Sequence, residues 1–231
     1  MNNQSELQNN PNTNTNKRAL NLILVDESGS MGSIYAETLD GMNRTINNIK
    51  SQADKVEGVK QYINLITFDS DHYTQHLRHC PAQKARTLTR EDYRPCACTP
   101  LYDAIGRAVT TLERHVTDND AVLVTIITDG LENASHEFSG NEIRRLIQRL
   151  SSKGWLFTFI GANQDVIYEA EKIGIKQSLY FEADSAGTNI MWEKERGARA
   201  KYMSRMNAGI KMKKPMRQIM DEEQDLCFFD N

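Results

Sequence analysis

Continuous apolar runs recur along this chain, and between them apolar residues return every third or fourth position. The first run, residues 19–25 with Leu22-Ile23-Leu24-Val25 at its heart, predicts a strand buried on both faces, because a half-exposed strand would alternate. Leu39, Met42, Ile46 and Ile49 follow at helical spacing. Tyr62 to Phe68 reads as a second strand. Asp69-Ser70-Asp71 is turn chemistry, and His72 to Leu77 is predicted to return as an antiparallel edge strand. A loop from about residue 79 leads to Thr99. Beyond it Leu101, Ala104, Ile105, Ala108, Val109 and Leu112 share one helical face. Ala121 to Thr128 is a central strand. Ile143, Leu146, Ile147 and Leu150 mark a helix stopped by Gly154. Trp155 to Ile160 is a strand, Val166, Ile167, Ala170 and Ile173 a helix, and Ser178 to Phe181 the last strand. This alternation predicts an α/β fold: a doubly wound, mostly parallel, Rossmann-like sheet flanked by helices, with one antiparallel edge strand.

The two ends of the chain break the rhythm. Residues 1–17 are rich in Asn, Gln and Thr with almost nothing apolar to bury, so this segment is expected to be disordered. Residues 18–210 form the expected domain. Its last helix is basic: residues 193–217 hold nine Lys or Arg against two Glu. Met191, Trp192, Ala198, Tyr202, Met203, Met206 and Ile210 supply that helix with one apolar face, so a packed helix with a solvated basic side is the favoured reading over nucleic-acid binding. Residues 211–231 are expected to be a tail. Its carboxylates Asp221, Glu222, Glu223, Asp225 and Asp230 are candidates to offer an oxygen to a binding site on a neighbouring molecule, although a frayed terminus is the plainer reading.

Three short pieces carry the candidate chemistry. Asp26-Glu27-Ser28-Gly29-Ser30 follows the first strand, Thr99-Pro100-Leu101-Tyr102-Asp103 opens a helix, and Thr128-Asp129-Gly130 ends the central strand. In an open parallel sheet, loops at the carboxyl ends of strands form the ligand crevice. Asp26 and Asp129 would both sit there, with Gly29 easing a tight turn and Pro100 at the first helical position. Two carboxylates and three hydroxyls are hard donors, suited to Mg²⁺ or Mn²⁺. The pattern D-x-S-x-S, a distant Thr and a distant Asp resembles the metal-ion-dependent adhesion site of von Willebrand factor A domains. The resemblance runs over about residues 18–185. It implies that Ser28, Ser30 and Thr99 are hydroxyl ligands and that Asp26 and Asp129 bind the ion directly or through water. It also implies an open coordination position filled by an Asp or Glu of a partner protein. Small stand-alone domains similar to this one occur in bacterial and phage proteins.

Other readings are weaker. Ser28, Ser30 and Thr99 as mere helix caps would each be ordinary, but the conjunction argues against capping alone. A phosphotransferase with Asp26 as nucleophile wants an acid two residues on, where Ser28 stands; a metal-assisted phosphohydrolase is left only Glu27 and Glu132 as nearby acids. No G-x-G-x-x-G follows the first strand, which sets dinucleotides aside. His72, His76, His79, Cys80, Cys96 and Cys98 cluster in sequence, but their spacing is irregular for zinc. His72 and His76 would share one face of the edge strand. A net charge of −3 disfavours nucleic acid as the main partner. There is no run of ~20 apolar residues for a membrane span and no apolar signal core. Four cysteines are too few for a disulfide scaffold. The expectation is a cytoplasmic, Mg²⁺-dependent protein-binding module without catalysis. Deleting residues 1–17 should leave the thermal midpoint nearly unchanged; a drop of many degrees would show that the segment docks on the domain.

Overall fold

A computed structural model describes residues 17–229, apart from residues 54, 57 and 163 and the side chains of residues 164–167. The expectation for residues 1–17 therefore lies almost wholly outside the described residues, as does the burial of Val166 and Ile167, whose helix is described. Lys17 already opens the first strand, β1 (Lys17–Asp26). Alternate side chains of β1 serve different cores. Leu20, Leu22 and Leu24 enter one cluster, while Ile23 and Val25 enter another on the opposite face. A strand apolar on both faces must be covered on both, and this requirement shapes the rest of the fold.

The remaining elements follow in order: α1 (Tyr35–Gln52), β2 (Val59–Phe68), β3 (Tyr73–Pro81), α2 (Leu101–Glu113), β4 (Asp120–Thr128), α3 (Gly140–Ser151), β5 (Leu156–Gly161), α4 (Gln164–Lys172), β6 (Gln177–Tyr180), α5 (Ser185–Lys211) and α6 (Met216–Gln224). The sheet order is β3-β2-β1-β4-β5-β6. All neighbours pair in parallel except β2 with β3, the antiparallel edge expected from the sequence. The chain winds outward from β1 through β2 to β3, then α2 carries it back so that β4 lies on the other side of β1. The strand order thus reverses between β1 and β4, and ligands of such sheets bind outside the carboxyl ends at that reversal.

Residues of α2, α3 and α4 share a cluster on one face. Helices α1, α5 and α6 cover the other. The α2 face is the one its spacing marked: Leu101, Ala104, Ile105, Ala108, Val109 and Leu112 are all buried. A capping box of Ser139 and Glu142 starts α3. Gly154, at φ +89°, reverses the chain behind α3 in a conformation only glycine adopts freely.

The C-terminal region departs from expectation in two ways. First, the basic side of α5 is not wholly solvated. Arg199 is 1 % exposed and reaches the middle of the sheet. It donates to Glu195 Oε1 (2.7 Å), Asn21 Oδ1 (2.8 Å) and Thr125 Oγ1 (3.0 Å). Second, residues 211–229, the described part of the expected tail 211–231, do not stand free. Met216, Ile219 and Met220 of α6 and Phe228 beyond it are buried against α5 and the starts of β4 and β5. The acidic residues are drawn into ion pairs: Glu223 with Arg205, Glu222 with Lys214 and Asp221 with Arg217. Gln224 Nε2 and Arg217 Nη2 donate to the Ser151 and Ser152 carbonyls, at the amino edge of the sheet. Apolar residues at helical spacing, not the acidic composition, decide the fate of this segment. Of these carboxylates only Glu223 is buried; Glu222 and Asp221 stay half exposed.

Breaking a buried ion pair strands the surviving charge, typically at about 3–5 kcal/mol. Arg199→Met should therefore lower unfolding stability by about that amount, since Glu195 is also 1 % exposed. The double variant Arg199→Met with Glu195→Leu should recover most of the loss. Urea unfolding of the two variants against the native chain checks both expectations.

Candidate metal centre

Parallel pairing brings the two aspartates to one level. Val25 of β1 stands opposite Ile127 of β4, so Asp26 closes one strand where Thr128 and Asp129 close the other. Thr128 Oγ1 donates to Asp26 Oδ2 at 2.6 Å and ties the two ends together. Asp26 Oδ1 accepts the Ser28 N–H at 2.7 Å, which folds the first loop back over its own carboxylate. Ser30 Oγ donates to Asp129 Oδ1 at 2.6 Å and lies 3.3 Å from Ser28 Oγ. Thr99 enters from the far side: a methyl placed on Gly130 would lie 3.1 Å from Thr99 Oγ1, 3.7 Å from Ser30 Oγ and 3.8 Å from Asp26 Oδ2. The structure thus gathers Asp26, Ser28, Ser30, Thr99 and Asp129 around a cradle that stays open because residue 130 has no side chain. Asp26, Ser28 and Thr99 form its buried floor; Ser30 is exposed and Asp129 half-buried, so the cradle opens to solvent on their side.

The electrostatics of this cluster lack a positive charge. Burial pushes the Asp26 carboxyl up to about 6, against the opposing hydrogen bonds from Thr128 and Ser28, and the nearby Asp129 adds to the rise. Burial also raises Asp129, opposed by the Ser30 hydroxyl. Among the described residues no Lys, Arg or His pairs with either carboxylate. Desolvated carboxylates beside neutral hydroxyls, around a cradle a Cβ would fill, fit a small hard divalent cation.

Several supporting residues were not legible as such in the sequence. Thr128 was readable only as the end of a strand, yet it links Asp26 to the Gly130 backbone. The buried Tyr93 hydroxyl donates to the Asp26 carbonyl at 2.9 Å. Asn133 Oδ1 accepts the Thr99 N–H and holds that loop. Glu132 accepts from the backbone of Tyr102, Ala134 and Ser135, and Glu27 from that of Arg94. The two acids that a hydrolase would have needed thus each accept backbone N–H groups, Glu27 through Oε1 and Glu132 through both oxygens. Neither Ser28 nor the residue capping α2 makes a side-chain cap, so capping does not account for these hydroxyls. Pro100 stands at the cap of α2, one position before the first helical residue where it was expected. Gly29 does not adopt a left-handed conformation. Its role is to donate its N–H to the Ala97 carbonyl at 3.1 Å, which any residue could do.

The His and Cys residues between 72 and 98 do not form one cluster. His76 turns inward, with its side chain 3 % exposed, and bonds Thr67 Oγ1 at 2.8 Å; His72 stands outward beside Asp69. The two do not share a face, because His72 belongs to the turn before β3. His79 stacks on Tyr62 at 4.3 Å. All four cysteines are free thiols.

The chain belongs to the von Willebrand factor type A domain family, whose model matches residues 22–192. Solved structures share the fold at low identity. Manganese-loaded TRAP protein of Plasmodium vivax superposes with a TM-score of 0.52 at 20 % identity, covering 76 % of this chain and 72 % of that one. The vWF domain of the type V pili tip protein Mfa5 from Porphyromonas gingivalis gives 0.59 at 10 %, covering 81 % and 97 %. The PilB minor pilin of Streptococcus sanguinis gives 0.57 at 11 %, covering 81 % of this chain but only 62 % of the pilin. No curated protein sequence matches the chain.

Gly130→Ala tests the cradle directly. Gly130 does not adopt a left-handed backbone, so the added methyl carries no backbone strain and the fold should persist. The methyl would press on Thr99 Oγ1 and occupy the cradle. Affinity for Mn²⁺ should fall by about tenfold or more, as when a supporting residue of a metal site is disturbed, and isothermal titration measures it.

Proposed function

We propose that this protein is a divalent-cation-dependent protein-binding module of the cytoplasm, an intracellular scaffold or regulatory subunit without catalysis. Asp26, Ser28, Ser30, Thr99 and Asp129 would hold Mg²⁺, with Mn²⁺ able to replace it. Two carboxylates nearly neutralise such an ion and three hydroxyls leave it electrophilic, so it would supply a site for one further anionic oxygen. An Asp or Glu of a partner protein is the ligand proposed for that position. The observation that carries the reading is the convergence of the five donors on the carboxyl edge, with room between them and no side-chain cation among the described residues.

Other features support it. Protein binding is what members of this family do. The cradle opens at Ser30 and Asp129, and Leu131, 43 % exposed, stands two residues beyond as an apolar foothold for a partner. Glu27 and Glu132 are engaged by backbone, which leaves a hydrolase without a placed acid. Among the described residues no helix is long and apolar enough to cross a membrane. Free thiols at all four cysteines accord with a reducing compartment.

Asp129→Ala is the decisive variant. It should retain the circular dichroism of the native chain, lose measurable Mg²⁺ and Mn²⁺ binding, and release any partner that the native protein holds in Mg²⁺. Unchanged metal affinity would refute the ligand assignment; metal binding abolished while partner binding persists would refute the coupling.

A further inference from the structure

Beside the cradle lies a second group of ligand-type side chains with a different chemistry. Asp69 follows β2, next to β1 in the sheet, and its side chain is fully buried. Its Oδ1 accepts the backbone N–H groups of Asp71 (2.7 Å) and His72 (2.6 Å), which fixes the plane of the carboxylate. Around Oδ2 stand His72 Nδ1 at 3.3 Å and Cys96 Sγ at 3.1 Å. One ligand atom from each of the three residues falls within 4.8 Å of the other two. An Asx turn explains the bonds to Oδ1. The same turn brings the His72 ring up to both carboxylate oxygens, 3.3 Å from each; it does not explain why the Cys96 sulfur, from a segment 27 residues further on, closes on Oδ2 beside it.

We infer that Asp69, His72 and Cys96 form a second cation site, distinct from the oxygen cradle and selective for a borderline divalent ion of the zinc class. One carboxylate, one imidazole and one thiolate are donors such ions take. Metal–ligand bonds of about 2.0–2.3 Å place tetrahedral ligands roughly 3.3–3.6 Å apart. The two separations at Oδ2 already approach that range. His72, with its side chain 61 % exposed, can rotate to close the third edge. The backbone bonds to Oδ1 act as the outer support that orients a ligating carboxylate. Asp71 and Glu27 add negative potential at Cys96.

Without an ion, the Cys96 thiol donates to Asp69, and this hydrogen bond, with burial and the Asp69 charge behind it, pushes the thiol up to about 11. Such a thiol is a poor nucleophile, and a redox role for it is weak. A metal ion replaces that proton: the sulfur–metal bond forms as the S–H bond breaks, and the proton leaves to solvent. The fourth position would face outward, on the exposed side of His72.

The position of the site gives it a consequence. Residues 96–98 are bonded to the first metal-facing loop, Cys96 N–H to the Glu27 carbonyl (2.9 Å) and Gly29 N–H to the Ala97 carbonyl (3.1 Å). Ser70 N–H also donates to the Cys98 carbonyl at 3.0 Å. An ion held by Asp69, His72 and Cys96 would clamp the β2–β3 turn to this segment and brace the loop of Ser28 and Ser30 from behind.

Cobalt(II) reports the chemistry. The reduced full-length protein is titrated with Co²⁺ in excess Mg²⁺. One equivalent should produce a thiolate-to-cobalt charge-transfer band with visible bands of tetrahedral intensity, both removed by Zn²⁺. Cys96→Ser should abolish the charge-transfer band, and His72→Ala should weaken Co²⁺ binding by about tenfold or more. Both substitutions sit at partly or fully exposed positions, so circular dichroism should match the native chain. Asp129→Ala should leave the band in place, which separates this site from the one proposed for Mg²⁺. The absence of a charge-transfer band in the native protein would overturn the inference, as would a band that survives Cys96→Ser.

Discussion

The parallel pairing of β1 with β4 is the constraint on which the rest of this molecule depends. The two strands are about 100 residues apart in sequence and adjacent in space. Because they run the same way, both carboxyl ends emerge on one edge. Because the chain leaves β1 in one direction and β4 in the other, the loops beyond them diverge and leave a crevice. Asp26, Ser28 and Ser30 line it from one strand, Asp129 and Gly130 from the other. The Thr128–Asp26 hydrogen bond ties the two ends together at one level.

The same strands create the electrostatic problem that gives the edge its chemistry. A strand apolar on both faces carries its terminal carboxylate into a place water does not reach, and Asp26 is 0 % exposed. Hydroxyls and backbone N–H groups offset part of the desolvation but bring no charge. Midway down the sheet the problem is the reverse, a buried guanidinium, and there the protein solves it internally: Arg199 meets Glu195 and the polar side chains of Asn21 and Thr125. One buried charge is neutralised by a neighbour on the same helix. The other, Asp26, meets only hydroxyl and backbone donors, with no charged side chain paired to it among the described residues.

Backbone-to-carboxylate bonds help to hold the loops on this edge. Asp103 accepts the N–H groups of His136, Glu137 and Phe138, and Glu132 accepts that of Tyr102, so the segment after β4 is sewn to the start of α2. Glu27 and Asp69 do the same for the loops after β1 and β2. A ligand edge stitched in this way is preorganised, and binding there loses little conformational entropy.

Much of this is legible in the amino-acid sequence alone. The continuous apolar runs gave away β1, β4 and β5, and the three-and-four spacing gave away α1 to α3, because burial on two faces or on one stripe leaves a periodic trace in sequence. The D-x-S-x-S run, Thr99 and Asp129 were readable because local chemistry concentrates them in short pieces. Other features came only with the tertiary structure, because they depend on which distant segments meet. Nothing in the run of basic residues marked Arg199 as the one that enters the sheet. Nothing in the acidic end distinguished a free tail from α6, whose apolar stripe is short. The irregular spacing of His and Cys residues hid the fact that Cys96 and His72 converge on Asp69 while His76 turns away into the core. Sequence periodicity records which side of an element is buried; it does not record what lies opposite, and partners opposite decide where charges pair, where they are left open and where an ion can bind.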